Sequence, residues 1–173
     1  NDTPYDAVIL GANLYIVGQD ATPGATNLQW RVQAITTATG AATAGFGASG
    51  ATTTNFSVNN DIPFDIETDG TSLFIGGYDG IVSATDFQMR IMKMNTSGNA
   101  VSAFGGLLGT MYNPSATEDR VTRMRYYSSK LYFTGFQSTT GIWYTRALDS
   151  TTAASSTPAF NGTTGLALSD DNG

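Results

Sequence analysis

The chain has neither histidine nor cysteine, and only 13% of its 173 residues are charged. Without histidine or cysteine there is no Ser-His-Asp or Cys-His nucleophile, no zinc or iron-sulfur site of the usual ligands, no haem attachment and no disulfide. The sequence therefore points away from an enzyme. Eight basic residues against 14 acidic ones give a net charge of -6. Phosphate backbones are held by clusters of Lys and Arg, so no nucleic-acid partner is expected. The sequence has no run of 18 apolar residues, so no membrane span is expected either.

What is abundant is small and polar: 26 Thr, 14 Ser, 20 Ala and 20 Gly, with 11% aromatics. Disordered chains are poor in aromatics, so this one is expected to fold, and its length suits one domain that buries about 70% of its unfolded surface. A Thr-rich, Lys-poor, cysteine-free acidic chain reads as extracellular or cell-surface. Asn1 at the start reads as a mature end left by signal removal, or as the edge of a fragment.

Self-comparison reveals three tandem repeats. Asn13-Leu14-Tyr15-Ile16-Val17-Gly18, Ser72-Leu73-Phe74-Ile75-Gly76-Gly77 and Lys130-Leu131-Tyr132-Phe133-Thr134-Gly135 align. A second block, Leu28-Gln29-Trp30-Arg31-Val32, Phe87-Gln88-Met89-Arg90-Ile91 and Trp143-Tyr144-Thr145-Arg146-Ala147, follows each in turn. Phe46, Phe104 and Phe160 form a third marker. The openings also match: Asn1 to Asp6 with Asn60 to Asp65, and more loosely Glu118 to Arg123. The chain divides into repeats of about 1–59, 60–117 and 118–173, a single repeat domain with its head in phase with its tail.

Within a repeat the periodicity is that of strands. In the second copy, strands are expected at Pro63–Thr68, Ser72–Gly77 and Phe87–Met94, with a short fourth at Ala100–Phe104. Turns fall at Asp69-Gly70 and at Thr96 to Asn99. The Ala-rich stretch from Thr36 to Ala44 is broken by Thr and Gly and reads as turn and loop. The fold class is all-β, built from three four-stranded antiparallel sheets.

The run Asp-Gly-x-x-Leu-Phe-Ile-Gly-Gly, Phe-x-Met-Arg-Ile-x-Lys-Met-Asn-x-x-Gly and Ala-Phe-Gly-Gly in residues 69–106 resembles the roughly 60-residue tandem repeats of secreted bacterial and archaeal β-propellers. That resemblance implies one propeller-like blade per repeat. Its motifs are structural and carry little functional content. The third copy departs from them, with Ser128-Ser129-Lys130 in place of Asp-Gly and Asn161 after Phe160. Propellers use four to eight blades, so three imply completion: two chains in a ring, blades from elsewhere, a filament, or another threefold arrangement. A homo-oligomer or self-assembling polymer is the expected partner state.

Arg31, Arg90 and Arg146 recur inside apolar strands and are read as structural tie points, with Asp6 and Asp65 as their natural carboxylate partners. The alternative is a central or lateral pocket in which these arginines bind an anionic ligand. Asp20, Asp69, Asp79 and Asp86, with Asp65, are the candidate ligands for calcium, although Asp69-Gly70 and Asp79-Gly80 are more simply turns. Glu67 with Asp65 or Asp69 is the carboxylate set a glycosidase would need, but residues two apart in a strand share a face by periodicity alone. Trp30, Tyr78, Trp143 and Tyr144 are flat surfaces on which a sugar ring could stack, the competing role being core between blades. Gly45 to Gly50 lacks the lysine and the following helix of a phosphate loop.

The leading expectation is a non-enzymatic extracellular structural or assembly protein, a surface-layer, filament or adhesion component. The alternatives are a carbohydrate-binding β-propeller lectin and a fragment of a larger secreted propeller. The loops Gly18 to Pro23, Gly77 to Val82 and Gly135 to Thr140 do not agree with one another, which argues against one ligand site per repeat.

Overall fold

The computed structural model describes residues 2–138, 142–155 and 166–169. The first sheet contains β1 (Thr3–Leu10), β2 (Asn13–Asp20), β3 (Gln29–Thr36) and β4 (Ala51–Thr54). The second contains β5 (Ile62–Thr68), β6 (Ser72–Asp79), β7 (Gln88–Asn95) and β8 (Thr110–Tyr112). The third contains β9 (Asp119–Tyr127), β10 (Lys130–Gln137), β11 (Ile142–Asp149) and β12 (Leu166–Ser169). In each sheet the strands lie in sequence order and every neighbouring pair is antiparallel. The sheets pack face to face, with β1 against β5 and β5 against β9.

Side chains alternate between the two faces of a strand, so each inner sheet face contributes every second residue to a core. Tyr15, Val17, Trp30, Val32 and Ala34 of the first sheet meet Ile66, Leu73, Ile75, Met92 and Met94 of the second. The opposite face of the second sheet gives Phe74, Met89 and Ile91 to a second core with Val121, Met124, Leu131, Phe133, Tyr144 and Leu148. The second sheet is thus covered on both faces.

The three sheets share a bulge. Residues 4 and 6, 63 and 65, and 121 and 123 pair with consecutive residues of the second strand, so Tyr5, Phe64 and Thr122 are each the extra residue. Opposite them stand Gly18, Gly77 and Gly135. A Cβ on Gly18 would run into the Thr3 carbonyl, and one on Gly77 into that of Ile62. The glycine that closes the first aligned block of each repeat is required by this close approach.

The expected fourth strand at Ala100–Phe104 is not a strand. Ala100 makes only an isolated bridge to Met94, and the fourth strand is β8 at Thr110–Tyr112. Phe104 belongs instead to a turn, where its ring is fully buried edge-on to Phe74 at 5.4 Å. Phe46 packs in the same way on Tyr15 at 5.4 Å. The phenylalanine marker is therefore a plug that anchors the loop between third and fourth strands. Phe160, its third copy, lies outside the described residues. Where Asp-Gly is missing from the third repeat, Ser128 and Ser129 both adopt positive φ, 49° and 63°, to make the two-residue hairpin loop.

Trp30 and Trp143 hold the same register position, opposite Gln19 and Phe136, but are 1% and 67% exposed. Trp30→Ala is expected to cost about 3–5 kcal/mol in urea unfolding. Trp143→Ala in dilute solution should stay within about 0.5 kcal/mol. Equal losses would contradict the sheet stacking described above.

Candidate functional site

The bulges meet where the first strands of the three sheets lie side by side. Tyr5 and Phe64 pack edge-on, with ring centroids 5.4 Å apart. With Arg120, Thr122 and Arg123 they line a cavity of about 540 Å³. Beneath it each sheet is clipped to the next by an aspartate. Ile66 N donates to Asp6 Oδ2 at 3.2 Å, and one sheet further on Met124 N donates to Asp65 Oδ2 at 2.6 Å. The third member of the series is Arg123, whose Nη1 lies 3.4 Å from Asp65 Oδ1. Burial drives the Asp65 carboxyl up to about 7, the Met124 N–H opposes the shift, and the neighbouring Asp6 carboxyl adds to it.

The recurrent arginines are not paired with Asp6 and Asp65, as the sequence suggested. Arg31 Nη1 is 3.9 Å from Asp20 Oδ2, and Arg90 Nε donates to Asp79 Oδ2, each across neighbouring strands of a single sheet. Arg90 is fully buried, donates also to the Leu108 carbonyl and lies 4.2 Å over the Phe56 ring. Arg146 is not their equivalent. Gly18 faces Arg31 and Gly77 faces Arg90, whereas Gly135 faces Tyr144. The alignment slipped by two residues, which preserves the face and so escapes detection by periodicity. Arg146 donates to Ser155 Oγ at 2.6 Å and lies 4.2 Å over the Tyr112 ring, while its buried Nε finds no hydrogen-bond partner among the described residues.

The four aromatic candidates separate. Trp30, Tyr78 and Tyr144 are interior, and Trp30 Nε1 donates to the Tyr78 carbonyl at 3.0 Å. Burial pushes the Tyr78 hydroxyl up to about 12. Only Trp143 of these four faces out. It lines a cavity of about 370 Å³ with Arg120, Thr122, Thr134, Phe136 and Thr145. The two cavities adjoin through Arg120 and Thr122. Together they offer aromatic faces, hydroxyls and guanidinium groups, the chemistry for stacking and hydrogen bonding without any acid-base pair.

The proposed cation ligands are dispersed. Asp20 accepts from Thr22 and from Gln29 Nε2, and these bonds, with Arg31 nearby, outweigh burial and hold its carboxyl low. Asp69 caps its own turn through Thr71 and Ser72 and meets Lys93 Nζ at 2.8 Å. Asp79 is taken by Arg90 and Gln88, and Asp86 lies just before β7. Among the described residues no three acidic side chains gather as a metal would require.

One recurrent device escaped the repeat comparison. In Asn55-Phe56-Ser57-Val58-Asn59-Asn60-Asp61, Ser57 N and Oγ donate to the Asp61 carboxylate at 3.0 and 2.9 Å. Ser115 does the same to Asp119 at 2.9 and 2.8 Å in Asn113 to Asp119. Each aspartate then sends its own N–H back to the preceding sheet, Asp61 to the Leu28 carbonyl and Asp119 to that of Phe87. The shared Asn-x-Ser-x-x-x-Asp spacing was present in the sequence. It fixes how one sheet leads into the next.

Removing the Arg90 charge should strand Asp79 in the interior, so Arg90→Met is expected to cost about 3–5 kcal/mol of unfolding free energy. The half-exposed Arg31→Met should cost less than about 1 kcal/mol. Asp65 gives a pH signature. Its folded value near 7 lies above the ordinary 3.8, so the native state holds a proton between these values. The corresponding stability is present at low pH and is lost as pH rises through about 7. Urea midpoints of the wild type should therefore fall relative to Asp65→Asn over that interval, and a pH-independent difference would refute the assignment.

Comparison with protein-family models and with curated proteins finds no match for this chain.

Proposed function

We propose that this chain is a non-enzymatic structural module of the cell exterior, whose three sheets serve as consecutive β-propeller-like blades and whose end faces pack on further sheets. The observation that carries this reading is Trp143. Its register equivalents Trp30 and Met89 are the residues that fill the two sheet junctions, yet Trp143 is 67% exposed. A large apolar side chain at a junction position, on an uncovered face, matches a surface made to be covered. The side-by-side first strands and the outward strand order support the blade reading. The lack of cysteine and the Thr- and Ser-rich, weakly charged composition support an extracellular setting, and the missing catalytic side-chain types support a structural role.

A second reading rests on the cavity around Trp143. An exposed indole flanked by Thr122, Thr134, Thr145 and Arg120 suits a sugar ring, with an acidic sugar favoured by the guanidinium. Mass by light scattering in neutral buffer, followed by titration with neutral and uronic-acid oligosaccharides, separates the two. The structural reading expects particles above the 18.1 kDa chain mass and no Trp143-dependent saccharide binding. A monomer that binds saccharide, with binding lost in Trp143→Ala, would replace it with the lectin reading.

A further inference from the structure

The two end faces are related to the two internal junctions by the repeat itself, so the structure indicates what each would accept. On the first sheet, the face turned away from the second carries Leu14, Ile16, Gly18, Arg31, Gln33 and Ile35. These are the register equivalents of Leu73, Ile75, Gly77, Arg90, Met92 and Met94, the face that receives the first sheet. On the third sheet, the outer face carries Tyr132, Thr134, Phe136, Trp143 and Thr145. They stand where Tyr15, Val17, Gln19, Trp30 and Val32 stand on the first sheet. One end of the chain therefore repeats the receiving face and the other the inserting face.

The internal junctions show how the two fit. At the first, Trp30 reaches the carbonyl of Tyr78, the residue after Gly77. At the second, Met89 lies over Gly135, whose missing Cβ leaves room for the methionine tip. Gly18 and Gln19 repeat Gly77 and Tyr78 on the open first sheet. A notch lined by Pro4, Ile16, Gly18 and Gln33, of about 280 Å³, lies there.

Charge sets the direction. The equivalent positions Asp6, Asp65 and Arg123 follow one another across the stack, with Asp6 close enough to raise the cost of ionising Asp65 and Arg123 paired to Asp65. The Arg123 side chain remains 64% exposed despite this pairing. A third sheet followed by a first sheet sets Arg123 beside Asp6, whereas two third sheets meeting would oppose Arg123 to Arg123, and two first sheets Asp6 to Asp6.

From this we infer that the occupant of both end faces is a second copy of this chain, joined head to tail, with Trp143 of one copy seated over Gly18 of the next and Arg123 beside its Asp6. The inference rests on the assembly reading above and specifies its junction. Thr134 and Thr145 stand in place of Val17 and Val32, and their hydroxyls leave the free face compatible with water, the Thr134 hydroxyl already meeting that of Thr122 at 3.3 Å.

Two single variants test it, Trp143→Arg on the inserting face and Ile16→Lys on the receiving face. Each should raise the apparent dissociation constant of self-association by roughly 30-fold or more in light scattering. Mixed together, the two retain one intact junction and should recover a 1:1 complex of twice the 18.1 kDa chain mass by native mass spectrometry. With Trp143 replaced, Trp30 is the only indole left, and its emission reports that the variant is folded. An association abolished by Trp143→Arg but untouched by Ile16→Lys would mean a symmetric tail-to-tail contact and would overturn the junction. Wild-type assembly that survives both variants would overturn it while leaving the assembly reading intact. A wild-type chain monomeric throughout the micromolar range would remove both.

Discussion

β6 and β7 are buried over nearly their whole length, and both faces of the pair present large apolar side chains, with the buried charges of Asp79, Arg90 and Lys93 held in ion pairs. A sheet of this kind has no solvent side, and a four-stranded sheet apolar on both faces is stable only between two others. The flanking sheets grade away from this condition. Val17 and Val32 give way to Thr134 and Thr145, and Met92 to Gln33, on faces turned outward, although Ile16, Ile35, Phe136 and Trp143 stay apolar there. The stack is thus a sequence of similar units whose composition records which neighbours each one has.

Stacking by hydrophobic contact alone would leave the relative rotation of the sheets loosely defined, since burial is non-directional. Polar contacts supply the direction. The aspartate clips Asp6 to Ile66 N and Asp65 to Met124 N join consecutive first strands at the bulge. At the N-terminal ends of the second and third of those strands, Asp61 and Asp119 each satisfy their own turn and reach the preceding sheet through the backbone. Burial pushes the carboxyls of Asp61, Asp65 and Asp119 upward, and hydrogen bonds from neighbouring N–H and hydroxyl groups offset part of that cost. Buried carboxylates held by directed donors fix an angle that a layer of methyl groups would leave free.

Much of this was legible in the sequence because strands and turns are local. The leucines at 14, 73 and 131 mark the same strand position, and the glycines at 18, 77 and 135 mark the same bulge. The longer-range features were not legible, for identifiable reasons. A two-residue slip conserves the strand face, so Arg146 looked equivalent to Arg31 and Arg90 when Tyr144 holds their place. The partners of the arginines, Asp20 and Asp79, lie across a hairpin, at a distance set by register, while Asp6 and Asp65 face the next sheet. Of four candidate stacking aromatics, three fill the interior and only Trp143 is outward, and no one-dimensional pattern distinguishes a junction that is filled from one that is open.

Two of the differences among the repeats fall on residues that meet a neighbouring sheet, which bears on how a repetitive chain acquires polarity. Three identical sheets would present the same face at every junction and could extend with no preferred order of units. Here the position at the bulge reads Asp6, Asp65, Arg123, and the position opposite the bulge glycine reads Arg31, Arg90, Tyr144. The second junction gains an ion pair from the first change, and from the second a tyrosine ring in place of a guanidinium. Both changes make the second junction chemically different from the first. Each sheet consequently recognises a specific predecessor, and the order of the stack is encoded in a few side chains whose backbone positions are otherwise the same.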